Sequence, residues 1–252
     1  MARYQVILAY DGTEFQGFQK QADARTVQGV VEVALRKLNW QGETLLAAGR
    51  TDTGVHAAGQ VIAFDLHWGH TPDELLRALN ANLPADVAVR QVRLALPDFH
   101  PRYDAVSRCY RYHILCEPVR NPLMERYAWR VWPPVDFVRL DRAASSLLGS
   151  HDFSAFGNPP HPGGRTVRSV TRAEWFQEGP LLVFEIVSRA FLYHMVRRLV
   201  SFQVEIGQGR HENGALTTSL DEAPAEMVPG LAPAQGLVLK EICYPAERLV
   251  EG

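Results

Sequence analysis

The feature that most limits how this chain can fold is a hydrophobic rhythm that changes period in the same order twice. Residues 3–10 alternate polar and apolar and end at Tyr10-Asp11-Gly12-Thr13, a turn-forming run. Thr26 then stands as a helix cap ahead of Val27, Val30, Val31, Ala34, Leu35 and Leu38, which recur at helical spacing. Leu45 to Ala48 reads as a short strand and Gln60 to Leu66 as another. Thr71-Pro72-Asp73-Glu74 starts a helix: a cap, a proline at the first position and a glutamate closing a capping box. Val87 to Leu96 alternates again.

From Ser107 the order recurs. Ser107 to Leu115 reads as a strand with Tyr110, Tyr112 and Ile114 on one face and Arg111 and His113 on the other. Phe137, Leu140, Ala144, Leu147 and Leu148 mark a helix stopped at Gly149. Val170 to Phe176 and Leu182 to Ser188 read as paired strands around Glu178-Gly179-Pro180. Phe191 to Gln203 reads as a helix with Leu192, Met195, Leu199 and Phe202 on one face, and Val238 to Tyr244 as a final strand. The pattern predicts an α+β chain of two related α/β halves with mainly antiparallel sheets. The halves are expected to divide near residues 98–106, giving 1–104 and 105–252. They share element order without a residue-level repeat.

Composition sets limits. A chain of 252 residues with 46% hydrophobic content can build one large core or two smaller ones. Its longest apolar runs, such as Val61-Ile62-Ala63-Phe64, are too short to span a bilayer. Met1-Ala2-Arg3-Tyr4 runs straight into a strand, so a cytoplasmic protein is expected. Cys109, Cys116 and Cys243 form no C-x-x-C pair, which argues against a disulfide framework or a cysteine zinc site. With a formal net charge of -2, a nucleic-acid partner needs a local basic face. Lysine occurs only at Lys20, Lys37 and Lys240. The other basic residues are arginines, whose planar fork suits phosphate oxygens and base faces.

The chemistry-bearing stretch is Gly49-Arg50-Thr51-Asp52-Thr53-Gly54-Val55-His56-Ala57. One carboxylate lies between two threonines inside two glycines, on a turn that glycine freedom and threonine hydroxyls can hold. Such an acid can act as nucleophile or general base. The plainer reading is an aspartate satisfying its own turn. Arg197 and Arg198 follow Phe191-Leu192-Tyr193-His194-Met195-Val196. They are either an exposed basic patch or, for Arg197, a cation that keeps a carboxylate ionised. Tyr110, in Arg108-Cys109-Tyr110-Arg111-Tyr112, is either a packing residue or an aromatic face for an extruded base. His67 and His70 flank Trp68-Gly69 without a third ligand nearby, so a surface loop is expected rather than a metal site. Gly163-Gly164-Arg165 lacks the lysine and hydroxyl of a P-loop and reads as a loop suited to touching phosphate.

Together these motifs resemble the tRNA pseudouridine synthase A family over nearly the whole chain. The resemblance runs through Tyr10-Asp11-Gly12-Thr13-x-Phe15-x-Gly17-x-Gln19, Arg25-Thr26-Val27-Gln28-Gly29 and the Asp52 loop. It continues in Phe99-His100-Pro101-Arg102-Tyr103, Tyr110-Arg111-Tyr112 and His151-Asp152-Phe153-Ser154-Ala155-Phe156. It ends in Phe191 to Arg197 and Ala234-Gln235-Gly236-Leu237. It implies the pseudouridine synthase fold, with ferredoxin-like halves and a central active-site cleft. It implies Asp52 as nucleophile, Arg197 as its ion-pair partner, and Tyr110 against the target uracil with a part in proton transfer. Arg50 is implied in RNA binding or base flipping, and Arg102, Arg165 and Arg168 are candidates for a phosphate track. It also implies uridines 38–40 of the tRNA anticodon arm as targets and a homodimer. The isomerisation involves no net redox change or hydrolysis, so no cofactor or metal is expected. Two departures stand out: Cys109 where a second basic residue is common, and a short, divergent stretch from Gly214 to Pro229. Two alternatives stay open. One is a non-catalytic RNA-binding chaperone of the same fold. The other is a glycosidase-like hydrolase, which needs a second carboxylate about 5–10 Å from Asp52.

Overall fold

A computed structural model of the chain describes residues 1–222 and 227–248. The strands are β1 (Ala2–Tyr10), β2 (Leu46–Ala47), β3 (His56–Leu66), β4 (Val87–Leu94), β5 (Ser107–Leu115), β6 (Trp129–Arg130), β7 (Gly149–Asp152), β8 (Val167–Glu178), β9 (Leu181–Ser188) and β10 (Leu237–Cys243). The helices are α1 (Val27–Lys37), α2 (Pro72–Asn80), α3 (Phe137–Ser145), α4 (Met195–Gly207) and α5 (Ala215–Asp221). Two units separate: Met1–Ser107 with the chain from Val238 onward, and Arg108–Leu237. The expected division at 104/105 placed the last strand in the second half, whereas β10 falls in the first unit.

In the first unit the strands lie in the order β4-β1-β3, with β2 and β10 both on β3. β1 is antiparallel to β3 and to β4, and β10 runs parallel to β3 through Val238↔His56 and Leu239↔Ala57. Alternation places Tyr4, Val6, Leu8 and Tyr10 of β1 inside, as period two requires. β3 is buried along most of its length, so both its faces are covered. Thr26 caps α1 by accepting from the Gly29 N–H, and Thr71 and Glu74 complete the capping box of α2. β3 begins at His56, four residues before the expected Gln60. The glycine that weakened the pattern, Gly59, lies where β10 passes: a side chain there would meet the Lys240 carbonyl oxygen at 2.4 Å.

The second unit pairs β5-β9-β8-β7 antiparallel, with β6 parallel to β5. Its path β5-α3-β8-β9-α4 follows the order β1-α1-β2-β3-α2 of the first unit. In each, the third of these strands lies between the other two. That shared plan is the physical content of the two-halves expectation. α3 packs on α4 and on β8. α4 starts at Met195, not at Phe191. Tyr193 exchanges two backbone hydrogen bonds with Asn158, and His194 enters the helix with φ 65°, in the left-handed region. Leu192 keeps its buried place from this extended lead-in, which is why helical spacing seemed to include it. The divergent stretch expected from Gly214 contains α5, and its residues 223–226 lie outside the described residues.

A buried acid ties α1 to the turn before it. Glu32 is 2% exposed. It accepts from Gln28 Nε2 at 2.9 Å, Lys20 Nζ at 3.0 Å and Thr44 Oγ1 at 3.2 Å. Burial pushes its carboxyl up, but the bonds from Gln28, Lys20 and the Leu45 N–H outweigh that and hold it below the ordinary 4.5. A depressed folded value gives stability that is full above the ordinary value and lost as pH falls through the depressed one. Glu32→Gln is therefore expected to flatten the fall of unfolding free energy below about pH 4.5. Denaturant melts across pH check this, and parallel curves for parent and variant would contradict it.

Candidate active site

In the first unit the Asp52 loop is not self-supporting; the Tyr10–Phe18 turn holds it. The Tyr10 hydroxyl and Thr51 Oγ1 are 2.8 Å apart, and the two residues are 5% and 7% exposed. The Phe18 N–H donates to the Thr51 carbonyl at 3.0 Å, and the Gly54 N–H to the Phe15 carbonyl at 3.4 Å. The Gly12 N–H donates to His56 Nδ1 at 3.0 Å, and Asp11 Oδ1 lies 3.2 Å from the same nitrogen. Within the loop the Val55 N–H closes a turn on the Asp52 carbonyl at 3.1 Å, and Gly54 has φ 77°. At the loop's entry, fully buried Gln60 donates Nε2 to the Gly49 carbonyl at 3.1 Å. Asp52 itself is half-buried and Arg50 exposed. The two most specific motifs of the sequence are thus one device, a carboxylate on a tight turn braced by a second turn.

Two glycines make that bracing possible. A side chain at Gly12 would place its first carbon 2.1 Å from the Val55 carbonyl oxygen. Gly17 has φ 82° and would meet the Thr51 carbonyl oxygen at 2.9 Å. Both obstacles are backbone, which cannot swing aside. Gly12→Ala is expected to cost about 1–3 kcal/mol of stability and to lower turnover as the Asp52 loop is displaced. Thermal melts beside an activity assay check this, and a parental melting point with parental turnover would contradict it.

In the second unit Tyr110 lies on β5 opposite Ile186 of β9. It is half-buried, with its ring edge-on to Phe191 at 5.0 Å between centroids. Tyr112, expected on the same face, is fully buried; its hydroxyl donates to the Pro233 carbonyl at 2.7 Å. Burial drives that phenol's pKa up strongly, against the opposing field of Arg197, so it stays protonated. Gly236 gives the ring room, since a side chain there would meet it at 2.6 Å.

Arg197 is the third residue of α4. Its Nε donates to the Ala232 carbonyl at 2.7 Å, and the Ala232 N–H returns a bond to the Arg197 carbonyl at 3.2 Å. Arg198 Nη1 donates to the Val228 carbonyl at 3.0 Å. The positive end of a helix dipole disfavours cations. Two arginines in this first turn are held there by carbonyls of the strap that runs from Val228 to Ala232.

Arg102, Arg165 and Arg168 were the remaining candidates. Arg102 is exposed, its guanidinium 6.0 Å from the Tyr103 ring. Arg165 is exposed in the loop before β8. Arg168 lies on β8 opposite His151; its Nη1 turns back to the carbonyls of Arg165 and Val167, and burial lowers its pKa. Trp68 and His70 rings pack edge-on at 5.2 Å. No group of three or more His, Cys, Asp or Glu able to hold a metal occurs among the described residues. Among them, too, no helix is long and apolar enough to cross a membrane. Tyr10, Thr51 and Gln60 were not singled out from the sequence. Their signal was the Tyr10-Asp11-Gly12 run, read there as a turn and not as a brace.

A family model described as tRNA pseudouridine synthase matches residues 6–104 and 143–245. The tRNA pseudouridine synthase A of Moorella thermoacetica is 41% identical over 241 residues, covering 95% of this chain and 98% of its own. That of Limosilactobacillus fermentum is 39% identical, covering 97% and 96%. That of Geobacillus kaustophilus is 40% identical, covering 98% and 96%. A chain of a solved structure titled "Crystal Structure of a Cbf5-Nop10-Gar1 Complex" aligns with 80% of this chain and 45% of its own. Its TM-score of 0.36 at 14% identity is too low for inference. On the family match and these full-length relatives, the chain belongs to the tRNA pseudouridine synthase family.

Proposed function

We propose that this isomerase converts uridine to pseudouridine in tRNA, at positions 38, 39 and 40 of the anticodon arm, with Asp52 as nucleophile. In that reaction the N1–C1′ bond breaks, the uracil turns, and a C5–C1′ bond forms. The C5 proton departs and N1 gains one, so no oxidant, reductant or water is consumed. Extruding the base costs a few kcal/mol, least at a weakly paired stem end. Tyr110 stacks on the uracil and takes part in moving the C5 proton. Arg197 forms an ion pair with Asp52. Arg50 assists flipping, and Arg102, Arg165 and Arg168 contact phosphates. The protein works in the cytoplasm as a homodimer, with one RNA spanning both subunits.

The observation that carries this reading is the braced Asp52 turn, a carboxylate presented on a glycine-flanked loop that buried bonds hold. Carbodiimide labelling of a transcribed tRNA treated with the protein tests it. Mass-neutral pseudouridine at 38–40, lost position by position when each uridine is replaced, is expected. Free uracil in the supernatant would favour a hydrolase, and RNA binding without product would favour a chaperone.

A further inference from the structure

We propose that Tyr10 is a positioning residue for the isomerisation: its hydroxyl, bonded to Thr51, sets the direction in which the next residue presents its carboxylate. The proposal rests on the reading of Asp52 as the reacting acid. Thr51 is held at two points. Its side chain meets the Tyr10 hydroxyl at 2.8 Å, and its carbonyl accepts from Phe18 at 3.0 Å. The Gly17 backbone presses on the same carbonyl, closely enough that no side chain fits between them. A peptide unit held through both its side chain and its carbonyl has little freedom to rotate, and that unit leads directly into Asp52.

Tyr10 is itself well anchored. It ends β1, with Ala57 of β3 on one side and Val87 of β4 on the other. Its ring lies 6.3 Å from that of Phe18, which carries the second hold on Thr51. Both Tyr10 and Thr51 are buried, so their bond forms away from competing water and its loss leaves a buried hydroxyl without that partner. The rest of the brace reaches α1: the Gln28 N–H donates to the Phe18 carbonyl at 2.9 Å, and Lys20 is tied to Gln28 and Glu32. The strength of the sheet and of α1 is thereby transmitted to one side chain on a loop. Misplacing a reacting group by about 1 Å can cost about a hundredfold in rate.

The test is Tyr10→Phe, which deletes one oxygen and keeps the ring. Expected is a kcat about tenfold or more below the parent, with an unchanged KM for tRNA, alongside a melting temperature a few degrees lower from the unsatisfied buried hydroxyl. Thr51→Val is expected to lose a similar factor, Thr51→Ser to recover most of it, and Tyr10→Phe/Thr51→Val to be no slower than either single change. A parental kcat for Tyr10→Phe overturns the proposal. So do additive losses in the double variant, or a kcat loss for Thr51→Ser as large as for Thr51→Val. Asp52→Asn separates the two ideas. If it retains turnover, the reading of Asp52 fails; if it is inactive while Tyr10→Phe is as fast as the parent, only the positioning role fails.

Discussion

Asp52→Asn is expected to bind a transcribed tRNA within about twofold of the parent and to lose at least about a thousandfold in pseudouridine formation. The change keeps the size and shape of the side chain and removes its charge. The turn that carries it is held by Tyr10, Phe15, Phe18 and the Val55 N–H through the Thr51 hydroxyl and backbone carbonyls. The fold and the RNA surface should therefore survive. A thousandfold loss corresponds to about 4 kcal/mol of transition-state stabilisation. Filter binding and carbodiimide labelling on the same preparation check both halves, and weakened binding in step with activity would point to a structural role instead.

Arg197→Met is expected to lower turnover by about a hundredfold, if Arg197 pairs with Asp52 as proposed. Arg197→Lys should restore little. Arginine's planar fork donates its Nε–H to the Ala232 carbonyl. A lysine ammonium has no such fixed fork. Turnover at saturating tRNA checks this, and parental turnover in Arg197→Met would contradict the proposed pairing.

Much of the fold was legible because it is local. The Thr26 cap and the Thr71–Glu74 capping box are written in adjacent residues, and both formed as expected. β1, β5, β9 and α3 follow from alternation or helical spacing. What was not legible depended on distant partners. The home of β10 rests on a parallel pairing with β3, more than a hundred and fifty residues away in sequence. The start of α4 was misplaced because Leu192 is buried at helical spacing, yet the next residue, Tyr193, is bridged to Asn158 and the helix starts only at Met195. β7 was hidden because Gly149 reads as a helix stop, and the strand follows at once.

The candidate site was legible in a similar way. Asp52, Tyr110 and Arg197 are conspicuous by motif, and the brace beneath Asp52 is not, because a tyrosine at a strand end and two glycines in a turn look ordinary until their partners are known. Arg168, expected in a phosphate track, is a strand residue whose Nη1 donates to the carbonyls of Arg165 and Val167.

The most direct measurement is a single-turnover reaction with Asp52→Asn in saturating excess over tRNA, where binding is complete and only chemistry is timed. The account predicts that the parent converts its target uridines within the dead time of manual mixing or soon after, while the variant leaves them as uridine throughout. Pseudouridine formed by the variant at the parental rate would contradict it.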